Sequence, residues 1–196
     1  MKTRLLLRMP PRRRREGLTD YRKRLKLVKS GLPRLVIRRT NRYLIVQLIL
    51  SKAGGDQTVI TVTSKKLAEC GWRGGFKNLP AAYLTGLLAG KMALSKGYEK
   101  AIIDLGLQRP VYGSRLFAAV KGAADAGLEI PAAEEVFPDE DRVRGEHVKE
   151  YFNSLAEQPD RVQFRRCDPG FYSRLPDVFE EVKNKILERY GGGKEA

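Results

Sequence analysis

Residues 34–64 read RLVIRRTNRYLIVQLILSKAGGDQTVITVTS and contain three apolar runs separated by short polar links. The first two runs are RLVIRR (34–39) and YLIVQLIL (43–50), and the third, QTVITVTS (57–64), alternates β-branched with polar residues. Runs of this length and composition are typical of β-strands. Because the links are short, neighbouring runs must reverse direction, and the stretch predicts an antiparallel meander of three strands.

The links and the middle run of the meander carry further predictions. Residues 40–42 (TNR) are predicted to form a tight turn, and residues 52–56 (KAGGD) a hairpin loop. The middle run, residues 43–50, is interrupted by Gln47 alone. It is therefore predicted to be buried on both faces for most of its length.

Downstream of the meander the sequence predicts a helix, a strand and a second helix. Asn78 is expected to cap a helix that extends to about residue 96, and its small residues would allow close approach to a sheet. Residues 100–105 (KAIIDL) predict a fourth strand, parallel to a strand of the meander because a helix intervenes. Ser114 is expected to cap a helix ending before Gly127. The predicted fold class is α/β, with a mixed sheet of the meander plus a parallel fourth strand, packed with helices.

The ends of the chain are predicted to flank this core. Helical spacing of apolar residues within 139–155 and 175–190 indicates a helical C-terminal extension. We therefore divide the chain into a basic arm (1–33), an α/β core (34–131) and the extension (132–196), which is expected to pack on the core.

Composition excludes several kinds of site. Cys70 and Cys167 are the only cysteines and lie in no CxxC motif, which excludes a disulfide framework and a four-cysteine zinc site. His147 is the only histidine, and no phosphate-binding loop is present. No apolar run reaches the ~18–20 residues of a membrane helix. We expect no metal, no cofactor, no small-molecule substrate and no membrane partner, and a reducing, cytoplasmic location.

Positive charge is concentrated at the N-terminus. Residues 1–42 contain 16 Lys or Arg and two acids, a net charge of +14, whereas the whole chain carries +15. A segment of this charge repels itself unless a polyanion neutralises it, and nucleic acid is the commonest polyanion of that size. A solvated tail or a localisation signal is the alternative, although such signals usually span only about five to eight residues.

A short helix is predicted inside the arm. Asp20, with Thr19, can cap a helix that runs to about residue 29, where Ser-Gly-Leu-Pro ends it. Tyr21, Leu25 and Val28 form a predicted apolar face that would pack on the body. The opposite face would meet phosphate groups and consists of Arg22, Lys23, Lys26 and Lys29.

Two loops are further candidates for contact with nucleic acid. Residues 108–115 lead into a helix N-terminus, where Arg109 and Arg115 supply charge and Tyr112 a stacking surface. An ordinary capped loop explains that stretch equally well. At the first turn, short polar donors lie beside arginines, which favours phosphate contact by Arg38, Thr40, Asn41 and Arg42.

A nuclease and a DNA-coating protein are the alternative functions. Three antiparallel strands, a helix, a strand and a helix is the order of ribonuclease-H-like enzymes, which hold two metal ions with carboxylates. Asp104 ends the fourth strand, but the first strand and the long helix contain no acid. One carboxylate cannot hold two cations, so the sequence predicts no catalytic residues and a structural role for Asp104.

Four stretches resemble one family along most of the chain. They are PRRRREGLTDYRKRLKLVKSGLPRLVIRRTNRY (11–43), NLPAAYLTGLLAG (78–90), IDLGLQRPVYGSRLFAAVKGAADAGLEIP (103–131) and RVRGEHVKEY (142–151). They resemble the archaeal and eukaryotic large-subunit ribosomal proteins that bind 5S rRNA, the universal family numbered eighteen, and especially its archaeal members. The match is less distinctive after about residue 155.

The resemblance implies a mixed α/β sandwich and a structural role in translation. It implies that the chain attaches 5S rRNA to the central protuberance of the large subunit and contacts 5S rRNA, 23S rRNA and neighbouring ribosomal proteins. The region implied to bind RNA is the arm and the first turn. With the loop candidates, the predicted RNA-binding residues are Arg12, Arg13, Arg14, Arg15, Tyr21, Arg22, Arg24, Lys26, Lys29, Arg38, Thr40, Asn41, Arg42, Arg109, Tyr112 and Arg115.

Overall fold

The computed structural model of the chain describes residues 9–156, 163–164 and 168–191. Four strands and eight α-helices lie within these ranges, together with two 3-10 helices, Ser64–Cys70 and Glu134–Val136. The strands are β1 (Arg34–Arg39), β2 (Leu44–Lys52), β3 (Gly55–Thr63) and β4 (Ile102–Asp104). The helices are α1 (Arg12–Arg15), α2 (Tyr21–Lys29), α3 (Leu79–Ser95), α4 (Arg115–Asp125), α5 (Glu140–Arg144), α6 (Glu146–Ala156), α7 (Pro169–Ser173) and α8 (Leu175–Gly191).

The four strands form one mixed sheet in the order β3-β2-β1-β4. β1 to β3 form an antiparallel meander, and β4 runs parallel to β1 with Val36 opposite Asp104. This topology confirms the predicted fold class. The hairpin predicted at 52–56 is present but its loop is shorter than predicted, because the β2–β3 ladder continues to the pair Lys52–Gly55 and only Ala53 and Gly54 form the turn.

Helices cover one face of this sheet, so the strands are buried asymmetrically. Leu44, Val46 and Leu48 of β2 are fully buried beneath helices, whereas the alternate residues of β2 are only half-buried. Successive side chains of a strand point to opposite faces of a sheet. The predicted burial of the middle strand on both faces is therefore wrong: its second face is turned toward the arm.

The helix α3 lies at the centre of the molecule. Every residue from Leu79 to Gly90 is buried, because α3 packs on β2 and β3, on α4 and on α8. The small residues of α3 were expected to allow close approach to the sheet, but its glycines lie against α4 instead. A Cβ atom at Gly86 would overlap the carbonyl oxygen of Ala119 in α4, and one at Gly122 of α4 would overlap the carbonyl oxygen of Tyr83 in α3. The glycines thus allow two helix backbones to touch.

Helix ends follow the sequence predictions in part. Asn78 Oδ1 accepts a hydrogen bond from the Ala81 N–H at 3.0 Å, which confirms the predicted cap of α3. Ser114 precedes α4, but its side chain caps nothing and its hydroxyl is buried without a partner, so that cap is wrong. The single helix predicted over 139–155 is also wrong, because Gly145 adopts a positive φ of 89° and separates α5 from α6.

The C-terminal helices pack against the buried side of α3. Tyr83 of α3 and Phe179 of α8 have ring centroids 5.5 Å apart, and both side chains are buried. The sequence predicts no disulfide framework from Cys70 and Cys167. Cys167 lies outside the described residues, and Cys70 is buried with a free thiol. Within the described part of the chain, the helices are too short or too polar to cross a membrane.

Candidate nucleic-acid interface

The helix α1 presents four consecutive arginines to solvent. Arg12–Arg15 follow Pro11, make a single helical turn and are all exposed. Within the turn, Arg12 lies 3.6 Å from a carboxylate oxygen of Glu16, and the Arg13 Nε donates to the Thr19 hydroxyl at 2.9 Å. Four like charges on one turn repel each other, and an external polyanion would relieve that repulsion.

The helix α2 begins as predicted but faces the sheet with a different side. Asp20 Oδ1 accepts hydrogen bonds from the N–H groups of Arg22 and Lys23, which confirms the predicted cap. Leu25, predicted to pack on the body, is 57% exposed. Arg24 instead reaches the sheet, and Leu27 lines the space between them. The predicted apolar packing face is therefore wrong at Leu25, whereas its other two members, Tyr21 and Val28, are half-buried.

A network of ion pairs lies on the face of the sheet opposite α3. Arg34 is 4% exposed, and its guanidinium donates to Asp104 at 2.9 Å and to Asp56 at 2.6 Å. Arg24 of α2 donates to the same oxygen of Asp56 at 3.0 Å. Arg38 donates to the carboxylate of Asp104 at 3.0 Å and to its carbonyl oxygen at 2.6 Å. Three arginines thus share two carboxylates, so α2 meets the sheet through charge.

Asp104 holds two arginines of β1 in place, which fits the structural role predicted from the sequence. Burial, the largest single effect, raises the pKa of the Asp104 carboxyl, and the hydrogen bond and charge of Arg38 act against it. The Gly106 N–H and the charge of Arg34 lower it further, and the pKa lies below its ordinary value. Asp104 therefore stays ionised in the folded protein and neutralises its partners.

We expect Asp104→Asn to lower the free energy of unfolding at neutral pH by about 3 kcal/mol, because it leaves the buried Arg34 short of a charge partner. A carboxyl whose pKa is lower in the folded state stabilises the fold above its unfolded pKa of about 3.9. That contribution is lost as the pH falls through the folded pKa. Urea unfolding at pH 7 and at pH 3 should show the difference between wild type and variant shrinking in acid. An equal difference at both pH values would contradict this role.

A cleft of about 850 Å³ lies between the arm and the face of the sheet opposite α3. Its charged lining comprises six basic residues and three acids, so the walls carry a net positive charge. The basic residues are Arg13, Lys23, Arg24, Lys26, Arg34 and Arg38, and the acids are Asp20, Asp56 and Asp104. Such a surface attracts anions even after its internal ion pairs have formed.

The turn between β1 and β2 is rigid and exposed. The Thr40 hydroxyl donates to the carbonyl of Tyr43 at 2.9 Å and accepts from its N–H at 3.0 Å. Asn41 and Arg42 lie at the exposed tip, and the Lys77 ammonium donates to the Asn41 carbonyl at 2.9 Å. Lys77 brings a further positive charge that was absent from the predicted set. Its signal was present in the sequence as the basic, aromatic loop at 71–77.

The loop between β4 and α4 is fastened to the end of β1. The Gln108 side chain donates to the Ile37 carbonyl at 2.8 Å and accepts from the Arg39 N–H at 3.1 Å. Tyr112 is 69% exposed, so its ring is available to a stacking partner. Arg115 instead donates to the Lys77 carbonyl at 3.0 Å and is half-buried. This contact links the loop to the segment beside the β1–β2 turn.

The predicted RNA-binding residues therefore fall into two groups. Arg24, Arg38 and Arg115 are half-buried and contact distant segments of the chain, and Tyr21 is half-buried at the start of α2. The other predicted residues are exposed: Arg12 to Arg15, Arg22, Lys26, Lys29, Thr40, Asn41, Arg42, Arg109 and Tyr112. Among the described residues, no group of three or more His, Cys, Asp or Glu side chains could hold a metal ion.

Comparison with known proteins relates the chain to one family. The sequence profile of the family described as ribosomal large subunit proteins 60S L5 and 50S L18 matches residues 7–99 and 95–133. The chain is also 49% identical over 179 residues to the large ribosomal subunit protein uL18 of Methanothermobacter thermautotrophicus. That alignment covers 90% of this chain and 93% of the archaeal protein.

Proposed function

The chain belongs to the family of ribosomal large subunit proteins 60S L5 and 50S L18, and from this premise we propose that it binds 5S rRNA and attaches it to 23S rRNA in the central protuberance. Family membership makes the chain a structural constituent of the large ribosomal subunit, with ribosomal RNA and ribosomal proteins as partners. It also removes the nuclease alternative, because the family is not known to be enzymatic.

The observation that carries the proposal is the exposed basic surface of the arm and first turn. Arg12–Arg15 and the outer side of α2 lie within residues 1–42, which carry a net charge of +14, whereas residues 43–196 are nearly neutral. Arginine suits this task because its planar guanidinium can bind phosphate oxygens with two N–H groups and stack on bases. The arm therefore supplies affinity for the sugar-phosphate backbone.

Shape and unpaired bases are expected to supply the specificity. The deep, narrow major groove of A-form RNA is closed to side chains, so proteins read RNA through its shape and its unstacked bases. Tyr112 offers an exposed ring, and Asn41 offers an amide at the tip of a rigid turn. The sheet fixes the spacing between these groups and the arm, which sets the angle at which RNA docks.

The decisive experiment compares binding of the intact chain to isolated 5S rRNA and to a structured control RNA of equal length. At matched ionic strength we expect affinity for 5S rRNA to be at least about tenfold higher, since charge alone contributes equally to both RNAs. Equal affinities would contradict the proposal. A matched pair of variants locates the surface: Arg42→Gln should weaken binding, whereas Arg144→Gln, which removes an exposed arginine from α5, should not.

A further inference from the structure

One ion pair joins the arm to the sheet. Among the described residues, Arg24–Asp56 is the only polar contact between residues 9–32 and the rest of the chain. Neither α1 nor α2 contains a fully buried residue, and Tyr21, Leu27 and Val28 of α2 are half-buried. The Arg24–Asp56 pair is therefore the specific polar link between α2 and the sheet.

Asp56 is itself held rigidly. It lies in β3 opposite Ser51 of β2, and the Ser51 hydroxyl lies 3.2 Å from its Oδ1. Its Oδ2 accepts from Arg34 at 2.6 Å and from Arg24 at 3.0 Å. Because Arg34 is buried and also bound to Asp104, the carboxylate of Asp56 has little freedom to move. Asp56 therefore provides a fixed contact on the sheet for the Arg24 side chain.

We propose that Asp56 is a positioning residue that docks α2 on the sheet and so prepares the arm for RNA, an inference that rests on the proposed function. A nine-residue helix is only marginally stable by itself in water. Docking through Arg24 holds α2 in a helical, correctly placed state before RNA arrives. The entropy of ordering the arm is then lost during folding, and less of it opposes binding.

The charge of Asp56 makes this proposal distinguishable from simple electrostatics. Asp56 is an acid on a surface that attracts a polyanion, so its removal raises the net charge from +15 to +16. If charge alone mattered, Asp56→Asn would bind RNA more tightly. A positioning residue gives the opposite sign, because the released arm must be ordered again by the RNA.

The first test measures hydrogen exchange of the α2 amides in the full-length chain without RNA. We expect Asp56→Asn to accelerate exchange about fivefold or more, and Arg24→Gln to do the same, because both break the Arg24–Asp56 pair. Asp56→Glu should restore much of the protection. Glu181→Gln, which removes an acid paired with Arg174 in α7–α8, serves as the control and should leave α2 unchanged. Equal α2 exchange in wild type and both pair-breaking variants would overturn the proposal.

The second test measures affinity for 5S rRNA. Asp56→Asn should weaken binding about fivefold, whereas Glu181→Gln, with the same change in net charge, should not weaken it. Tighter binding by Asp56→Asn would overturn the proposal. Amide protection of β2 and α3 shows whether the body of the variant remains folded. The Arg24→Gln variant keeps the part-buried Asp56–Arg34 pair intact. If wild type fails to prefer 5S rRNA, the proposed function fails, while the exchange experiment still decides whether Asp56 docks the arm.

Discussion

A chain that begins at residue 31 should lose at least about a hundredfold in affinity for 5S rRNA while its body stays folded. The deletion removes 12 of the 38 Lys and Arg residues but only two acids. If the intact protein neutralises about six to ten phosphates, the logarithm of its affinity should fall against the logarithm of salt concentration with a slope of about −4 to −9. The shortened chain should give a slope of about −2 or flatter.

The body should survive this deletion because residues 9–30, the described part of the deleted segment, contribute nothing to the buried core. The helices α1 and α2 contain no buried residue, and Arg34 keeps its partners Asp56 and Asp104 when Arg24 is gone. A thermal melt of the shortened chain tests this part directly. Unchanged RNA affinity in a folded, shortened chain would remove the arm from the binding mechanism.

A charge-matched comparison separates the arm from net charge. Changing Arg12–Arg15 to glutamine removes four charges from α1, and we expect a loss of about tenfold or more. The control removes the same number of charges from exposed positions of the C-terminal helices, by changing Arg142, Arg144, Arg174 and Arg189 to glutamine. Similar losses in both variants would show that long-range charge, and not the arm, governs binding.

Features set by neighbouring residues were predictable from the sequence. Asp20 and Asn78 were identified as helix caps because a cap needs only a short polar side chain just before the helix. The meander was predictable because short links force antiparallel pairing, and the parallel β4 because a helix precedes it. Identification of the arm needed only the local density of arginine and lysine. The same density of positive charge led to the prediction that the exposed residues Arg12 to Arg15, Arg22, Lys26 and Lys29 bind RNA.

Features set by distant residues were not predictable. Arg34 and Asp104 are 70 positions apart, and nothing in either segment indicates that they pair. The side of α2 that faces the sheet was predicted from apolar spacing, but Arg24, paired with Asp56, lies on that side and Leu25 does not. Amphipathic spacing assumes that a helix packs on an apolar surface, and here the surface is a network of ion pairs. Arg24 and Arg38 were therefore predicted as RNA contacts without their intramolecular partners.

A large effect on stability is also expected at the contact between α3 and α4. Gly86→Ala should lower the free energy of unfolding by about 3 kcal/mol, because the new Cβ would overlap the Ala119 carbonyl and two buried helices would have to separate. Helix propensity acts in the opposite direction, since alanine favours a helix over glycine by about 1 kcal/mol. A measured loss would therefore come from packing.

Gly54→Ala is the matched control for this prediction, because a Cβ there meets no atom within 4 Å. Urea unfolding of the two variants should show a large loss for Gly86→Ala and little change for Gly54→Ala. A neutral Gly86→Ala would mean that α3 and α4 can shift apart without cost. They hold the sheet from one side, and the loop at 106–113 leads directly into α4. Free movement of these helices would leave that loop without a fixed position relative to the β1–β2 turn, so the rigid spacing proposed for RNA docking depends on this close contact.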